Sequence, residues 1–306
     1  MLSARPWRTD AVFRFAGSVL VCFFAGALVF SVVEFRPSAA HPALAVYGVS
    51  ACSLVCLAAS LFLLRAPWRL ETVPRRLIAF LGFLYLGIFL AWWVGTLAGT
   101  PTGPSVAQML AGTLSLQGVV LFWTFPFVRE HRVSWRESFG FAQNWPRAVL
   151  LGLMITCVFL PFGQALQDGS AYLLEWLGNN LPHWNIKPER QLAVQSLEMA
   201  KSFSERVVLG VVTIALAPVA EETLFRGILY PWVKQAGFPS LALWGTVLLF
   251  AFMHFNLVTF VPLAVLALAL TLLYEHTDNL LAPITAHALF NAVNFVKLYS
   301  LQEHLK

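Results

Sequence analysis

The chain has 306 residues, of which 58% are hydrophobic and only 11% are charged. Soluble domains carry about 25% charged residues, so this composition excludes an ordinary soluble domain and predicts an all-α, polytopic transmembrane helical bundle. The net charge of +5 does not indicate a nucleic-acid partner, because the arginines cluster in short loops as in any membrane protein; the expected partner is the lipid bilayer.

The apolar runs predict eight or nine membrane helices, since a spanning helix needs about 20 mostly apolar residues. The predicted ranges are 12–33, 42–64, 77–98, 105–128, 149–167, 207–232, 240–256, 258–274 and 280–299. The seventh and eighth are short and barely separated, so they can also form one broken element. The first run has no small-residue cleavage site and is predicted to be a helix rather than a removed signal peptide.

The connections between these helices differ in charge. Arginines occupy the N-terminal segment and the loops 65–76 and 129–148, whereas the loop 99–104 has no charge. By the positive-inside rule this alternation predicts a cytoplasmic N-terminus in a multi-pass plasma (inner) membrane. The compact chain favours a bacterial membrane.

The longest connection, about 168–206, is then predicted to face outward. It contains two amphipathic stretches, near 171–177 and 191–203. Such stretches can lie flat on the bilayer and help to admit a substrate, or they can lie there as packing.

Three charged side chains lie inside the apolar run 207–232. Glu221, Glu222 and Arg226 each cost about 2.5–3.5 kcal/mol near the centre of a membrane helix, so a chain that keeps them is expected to use them. Glu222 and Arg226 are four residues apart and can pair on one helix face. Glu221 lies about 100° round the helix from Glu222, and we interpret it as the reactive carboxylate.

Two histidines, His254 and His287, are embedded in later apolar runs, while the other five fall in or near loops or at the C-terminal tail. Asn291 lies four residues after His287 and shares its helix face. Polar groups within a bilayer must find partners or line a wet cavity. One cavity shared among three helices therefore accommodates these side chains together with Glu221.

The chemistry that this set supports is hydrolysis. A carboxylate and an imidazole can together polarise a water molecule and accept its proton. His287 and Asn291 can donate hydrogen bonds to the oxyanion of a tetrahedral intermediate. The sequence has no GxSxG motif and no cysteine near these residues, so direct attack by water is favoured over a covalent acyl-enzyme.

Three motifs together resemble the CPBP family, the CAAX protease and bacteriocin-processing group of glutamic intramembrane proteases. The motifs are Glu221-Glu222-xxx-Arg226, Phe250-xxx-His254 and His287-xxx-Asn291. The resemblance covers about 145–300, with Asp278 where glycine is common in the family's polar turn. It implies an intramembrane endopeptidase in which Glu221 and His254 activate water.

The same resemblance implies that His287 and Asn291 form an oxyanion site and that Glu222 and Arg226 support the helix. Residues 1–135 are then accessory membrane helices, and residues 145–300 form the CPBP-like protease core. The implied substrate is a peptide or protein at the membrane: a prenylated CAAX tail in eukaryotic members, and bacteriocins or sorting anchors in others. The sequence specifies neither the substrate nor the oligomeric state.

Two other interpretations stay open. Glu221, His254 and His287 can supply three zinc ligands, although HExxH is absent and no cofactor is otherwise expected. A non-catalytic bacteriocin-immunity or binding protein, or a transporter, can also carry intramembrane acids and histidines. Transport is disfavoured because the two halves of the chain lack matching helices interrupted by glycine or proline.

Overall fold

The computed structural model describes residues 3–34, 51, 58, 110, 112–181, 183, 188–200 and 202–304. Every regular element in these residues is helical, as the composition predicts. The helices predicted at 42–64 and 77–98 and the loops around them lie outside the described residues. The chain divides into two compact units, residues 8–127 and residues 1–7 with 128–306.

The helices of the described residues are numbered in chain order. They are α1 Thr9–Glu34, α2 Val119–Glu130, α3 Trp135–Ser138, α4 Trp145–Asn180, α5 Leu192–Met199, α6 Phe203–Gln235, α7 Pro239–Phe252, α8 Leu257–Thr277 and α9 Leu281–His304. A π-helical turn, Leu114–Gly118, precedes α2. In the smaller unit α1 packs against this turn, and the rings of Phe15 and Phe127 lie 5.2 Å apart between centroids.

Three helices in the described part of the chain, α4, α6 and α8, are long and apolar enough to cross a membrane. The chain is therefore a helical membrane protein, while the total of eight or nine spans stays a prediction. Helix α7 is also apolar but has only 14 residues, about 21 Å at 1.5 Å per residue, which is less than a bilayer core of about 30 Å.

Helix α4 is much longer than the predicted helix 149–167. Its 36 residues measure about 54 Å and exceed the thickness of a bilayer core. The predicted amphipathic stretch 171–177 therefore belongs to the last turns of α4, and its prediction as a separate element was wrong. Residues 168–170 are polar but do not break a helix, and Gln164 donates a hydrogen bond to Asp168 four residues on, at 2.8 Å.

Helices α7 and α8 are separate, which resolves the ambiguity over the seventh and eighth predicted helices. Residues 253–256 connect them, and Phe255 has φ +47° in this turn. Asn256 begins α8, because its side-chain oxygen accepts a hydrogen bond from the backbone N–H of Thr259 at 3.0 Å. An asparagine cap of this kind satisfies an otherwise unpaired N–H of the first helical turn.

Helices α4, α8 and α9 share a core that fixes the position of α9. A Cβ atom on Gly152 would lie 2.6 Å from the carbonyl oxygen of Ala282, so only glycine permits this approach of α4 to α9. Thr156 then donates to the carbonyl of Ala286 at 3.0 Å. The apolar side chains of this core are Ala148, Phe159, Leu266, Leu270, Leu273, Ala282 and Ala286.

A polar turn joins α8 to α9. Asp278 has φ +48°, a left-handed conformation that favours glycine but that aspartate tolerates. Leu280 donates its backbone N–H to the carbonyl of Phe139 at 2.9 Å, and the Asn279 amide donates to the carbonyl of Gln143 at 2.6 Å. The turn thus anchors the start of α9 to the segment before α4.

Residues 3–7 form an N-terminal strap on the larger unit. Arg5 is buried and pairs with Asp278, and it also donates to the hydroxyl of Tyr274 at 3.1 Å. The indole N–H of Trp7 donates to the carbonyl of Gly227 at 2.8 Å. Pro231, four residues after Gly227, has no N–H to donate to this carbonyl.

Candidate active site

The acidic turn of α6 contains a buried ion pair. Glu222 Oε1 accepts a hydrogen bond from Arg226 Nη1 at 2.9 Å, and both side chains are almost fully buried. The contact is the one expected from their spacing of four residues. Arg226 also donates to the carbonyl of Ala267 at 2.8 Å and to Thr271 Oγ1 at 3.3 Å, so its guanidinium joins α6 to α8.

His287 on α9 meets both carboxylates of this turn. Its Nδ1 lies 2.9 Å from Glu222 Oε1, and its Nε2 lies 3.9 Å from Glu221 Oε2. Because the same Glu222 oxygen accepts from Arg226, it is a carboxylate oxygen and the imidazole Nδ1 is the donor. The distance to Glu221 is too long for a direct hydrogen bond, but one water molecule beside the two atoms can contact both.

The two adjacent carboxylates differ in how accessible they are. The side chain of Glu221 is 17% exposed whereas that of Glu222 is 0% exposed. Glu221 is therefore the more accessible of the two carboxylates.

His254 lies in the turn directly after α7. Its Nδ1 is 2.7 Å from the carbonyl oxygen of Phe250, and a carbonyl oxygen only accepts, so Nδ1 carries the proton. In a neutral imidazole the Nε2 atom then has a free lone pair. The backbone of Phe250 thus leaves His254 with a proton acceptor at Nε2.

The pairing of α6 with α7 places His254 at the level of the acidic turn. The two helices are consecutive and contact each other through the C-terminal part of α6, residues 223–235, and the rings of Phe225 and Phe250 meet at 5.3 Å between centroids. Glu221 is four residues before Phe225, and His254 is four residues after Phe250. Because α6 and α7 run antiparallel, Glu221 and His254 each lie about one helical turn from the contact of Phe225 with Phe250, on the same side of it.

Phe250 contacts three members of the site. Its ring lies 5.0 Å from the ring of His254 and 5.7 Å from that of His287, and the guanidinium of Arg226 lies 4.9 Å from its centroid. The sequence marks Phe250 only as the first position of the Phe-xxx-His motif. Its packing between the two imidazoles could not be derived from the spacing.

Two π-helical segments, Val212–Leu216 and Thr223–Leu229, flank the acidic turn of α6. In the first segment the N–H of Ala217 bonds to the carbonyl of Val212, and Pro218 has no N–H. The carbonyl of Thr213 therefore lacks both the α-helical and the π-helical donor. The side-chain amide of Asn291 donates to it at 2.9 Å, which ties α9 to α6 one turn beyond His287.

The predicted site residues thus divide into a connected cluster and two flanking positions. Glu221, Glu222, Arg226 and His287 come together directly, His254 joins through Phe250, and Asn291 is bound to the backbone of Thr213. Thr271 and the carbonyl of Ala267 also belong to the site but are ordinary residues of an apolar run, with no sequence signal. Within the described residues no group of three or more His, Cys, Asp or Glu side chains is arranged to hold a metal ion.

The buried Glu–Arg pair lies on α6, a helix apolar enough to cross a bilayer, and a histidine of α9 contacts it. The protein is thus a helical membrane protein with a cluster of charged and polar side chains among its helices. Residues 203–293 match the family described as type II CAAX prenyl endopeptidase Rce1-like, and this range holds every residue of the three motifs. Over this range the chain is similar to the Rce1-like family, in agreement with the resemblance seen in the sequence.

One curated relative also matches part of the chain. The uncharacterized protein YpbD of Bacillus subtilis (strain 168) is 35% identical over 98 residues, which cover 30% of this chain and 48% of YpbD. The chain thus spans about half the length of this relative. No solved structure gives a significant match.

Proposed function

We propose that the chain is an intramembrane endopeptidase that hydrolyses a peptide bond of a membrane-associated substrate with an activated water molecule. The observation that carries this proposal is the approach of His287 Nε2 to Glu221 Oε2, at 3.9 Å, inside the Rce1-like range. A water molecule beside these two atoms meets a carboxylate that can accept its proton.

The hydrogen bonds of the two imidazoles support different roles for them. His254 donates a hydrogen bond from its Nδ1–H to the carbonyl of Phe250, which leaves Nε2 as a base that can assist Glu221. His287 donates a hydrogen bond from its Nδ1–H to the carboxylate of Glu222. A protonated His287 presents Nε2–H as a donor to an oxyanion.

In the proposed reaction the water oxygen attacks the scissile carbonyl carbon while Glu221, assisted by His254, takes one water proton. His287 Nε2–H and the second amide hydrogen of Asn291 stabilise the oxyanion of the tetrahedral intermediate. The C–N bond then breaks, and the proton held by Glu221 passes to the leaving amine. Glu222 and Arg226 act as supporting residues because they hold His287 and α6 in place.

The description of the matched family makes a prenylated C-terminal tail the first substrate class to test. We propose a cytoplasmic N-terminus, on the charge pattern of the loops, and a bacterial inner membrane, which the compact chain favours. The substrate would then enter laterally from the bilayer or from one of its surfaces.

The function is tested by comparing membrane peptidomes of cells that express the parent chain or the Glu221→Gln variant at equal levels. The proposal expects peptides with new termini that appear only with the parent chain. Identical peptidomes would instead support a non-catalytic binding or immunity protein.

A further inference from the structure

A cleft of about 160 Å³ lies between α4 and α9, and none of its lining residues belongs to the candidate active site. It opens to the surface, because three of its polar residues are exposed. The polar lining consists of three carboxamides and one ammonium group, those of Gln164, Gln167, Asn294 and Lys297. The apolar lining includes Leu160, Phe290 and Val293. A cleft with both kinds of lining fits an amphipathic ligand.

The cleft lies near one surface of the bilayer. Trp145 begins α4 and is exposed, as an aromatic residue at a membrane surface is expected to be. Gln164 follows it by 19 residues, about 29 Å along the helix axis, which is close to the thickness of about 30 Å of a bilayer core. With Trp145 at one surface, Gln164 is therefore at the level of the opposite lipid headgroups.

The apolar part of the cleft lies on the side of the hydrocarbon core. Helices α4 and α9 run parallel, since Gly152 approaches Ala282 and Gln164 contacts Lys297 further along both helices. Leu160 comes before Gln164 and Phe290 comes before Lys297. Both apolar side chains are consequently deeper in the membrane than the polar ones. This order matches a phospholipid, whose headgroup lies outside its acyl chains.

The charged groups at the cleft alternate with an amide. Lys297 Nζ donates to Gln164 Oε1 at 2.7 Å, and Gln164 Nε2 donates to Asp168 Oδ1 at 2.8 Å. A lysine near the end of a membrane helix usually extends into water, but this one is held across the cleft. The ammonium and the carboxylate are separated by one amide, and each keeps hydrogen-bonding capacity for a ligand.

We propose that this cleft binds the headgroup of a zwitterionic phospholipid that carries a primary ammonium. Lys297 and Gln167 donate hydrogen bonds to the phosphate oxygens, as basic groups between membrane helices do for lipid phosphates. Asp168 accepts a hydrogen bond from the ammonium of the lipid, and an acyl chain lies along Leu160 and Phe290. A quaternary ammonium has no N–H for Asp168, and a headgroup with phosphate alone leaves this carboxylate without a cation. The lipid site is independent of the proposed peptidase activity.

Native mass spectrometry of the full chain, purified in detergent, tests this site. The chain is mixed with equimolar phosphatidylethanolamine, phosphatidylcholine and phosphatidylglycerol that have the same acyl chains. Phosphatidylethanolamine should bind at least about 10-fold more tightly than the other two, the difference expected for one hydrogen bond to a charged group.

Two variants separate the two halves of the headgroup. Lys297→Met should weaken the binding of phosphatidylethanolamine about 10-fold by removing a donor to the phosphate. Asp168→Asn should leave phosphatidylethanolamine and phosphatidylglycerol with affinities within about threefold of each other. Arg147→Met is the matched control, because it removes an exposed cation at the other end of α4 and should leave all three affinities unchanged.

The apparent Tm of Lys297→Met in detergent without lipid should stay within a few degrees of the parent, because its contact with Gln164 is exposed. If this variant does not fold, the loss of selectivity in Asp168→Asn decides. Equal binding of the three lipids, or tightest binding of phosphatidylglycerol, overturns the inference. Parental affinity for phosphatidylethanolamine in Lys297→Met also overturns it.

Discussion

His287 donates a hydrogen bond from Nδ1 to Glu222 Oε1 over 2.9 Å, so one imidazole lies between the two adjacent carboxylates of α6. The spacing in the sequence predicts Glu222 only as a partner of Arg226, but in the structure Glu222 also orients His287 on α9. Substitution of Glu222 and substitution of Glu221 are therefore expected to have different effects.

Glu222→Gln should lower stability more than Glu221→Gln does. Removing the Glu222 charge leaves the guanidinium of Arg226 buried without an anion, and breaking a buried pair in this way costs roughly 3–5 kcal/mol. The apparent Tm of each variant in the same detergent measures the difference, with Glu221→Gln, whose side chain is 17% exposed, as the matched control.

A double-mutant cycle with Arg226→Met checks that the cost comes from the pair. The variant that carries both Glu222→Gln and Arg226→Met should be more stable than the sum of the single losses predicts, by at least about 1 kcal/mol. Additive losses would contradict the ion pair as the source of the effect.

Phe250→Leu should reduce activity with only a small loss of stability. Leucine keeps most of the buried volume, so the cost in stability should stay below about 1.5 kcal/mol. The flat ring that contacts His254 and His287 is lost, and misplaced imidazoles should lower kcat about 10-fold or more. Phe252→Leu is the control, since Phe252 is on the same helix but 60% exposed. Equal kcat values for the two variants would show that Phe250 does not position the histidines.

Arg5→Met should destabilise the larger unit by about 3 kcal/mol, because Asp278 would lose the partner of a largely buried ion pair. Arg8→Met provides the comparison, since Arg8 is 58% exposed and pairs with Asp10; exposed pairs contribute about 0–1 kcal/mol. Thermal unfolding of both variants in one detergent measures the difference. Equal Tm values would mean that the N-terminal strap contributes no stability through this pair.

Peptide cleavage should survive exhaustive treatment with a zinc chelator, because the proposed reaction uses only side chains and water. The measurement is the initial rate before and after chelation, with a known zinc protease in the same detergent as the positive control. Loss of activity that returns on adding Zn²⁺ would favour the zinc interpretation of Glu221, His254 and His287.

Local spacing predicts those parts of the site that lie on one helix. Residues four apart share a helix face whatever the tertiary structure, so the pair of Glu222 with Arg226 follows from the sequence. The contact of His287 with Glu222 depends on how α9 packs against α6, which spacing does not encode. The bond from Asn291 to Thr213 depends in addition on a π-helical turn and on the missing N–H of Pro218.

Hydropathy predicts apolar helices but neither their full length nor the burial of charged residues. The residues 168–170 lower the local hydropathy without ending α4, so the hydropathy pattern ends the predicted helix at residue 167 and predicts a loop for the last turns of α4. Arg5 counts in the sequence only as one of the basic residues that set the topology. In the structure it is buried against Asp278 and Tyr274, because a partner for it exists at the far end of the chain.

The most direct test of the central claim is kcat/KM of the purified Glu221→Gln variant, measured beside the parent on the same peptide. A water-activating carboxylate predicts a loss of about 10²–10⁴-fold, with an apparent Tm within a few degrees of the parent. Cleavage by Glu221→Gln at the parental rate would contradict the account, since Glu221 would then take no part in activating water.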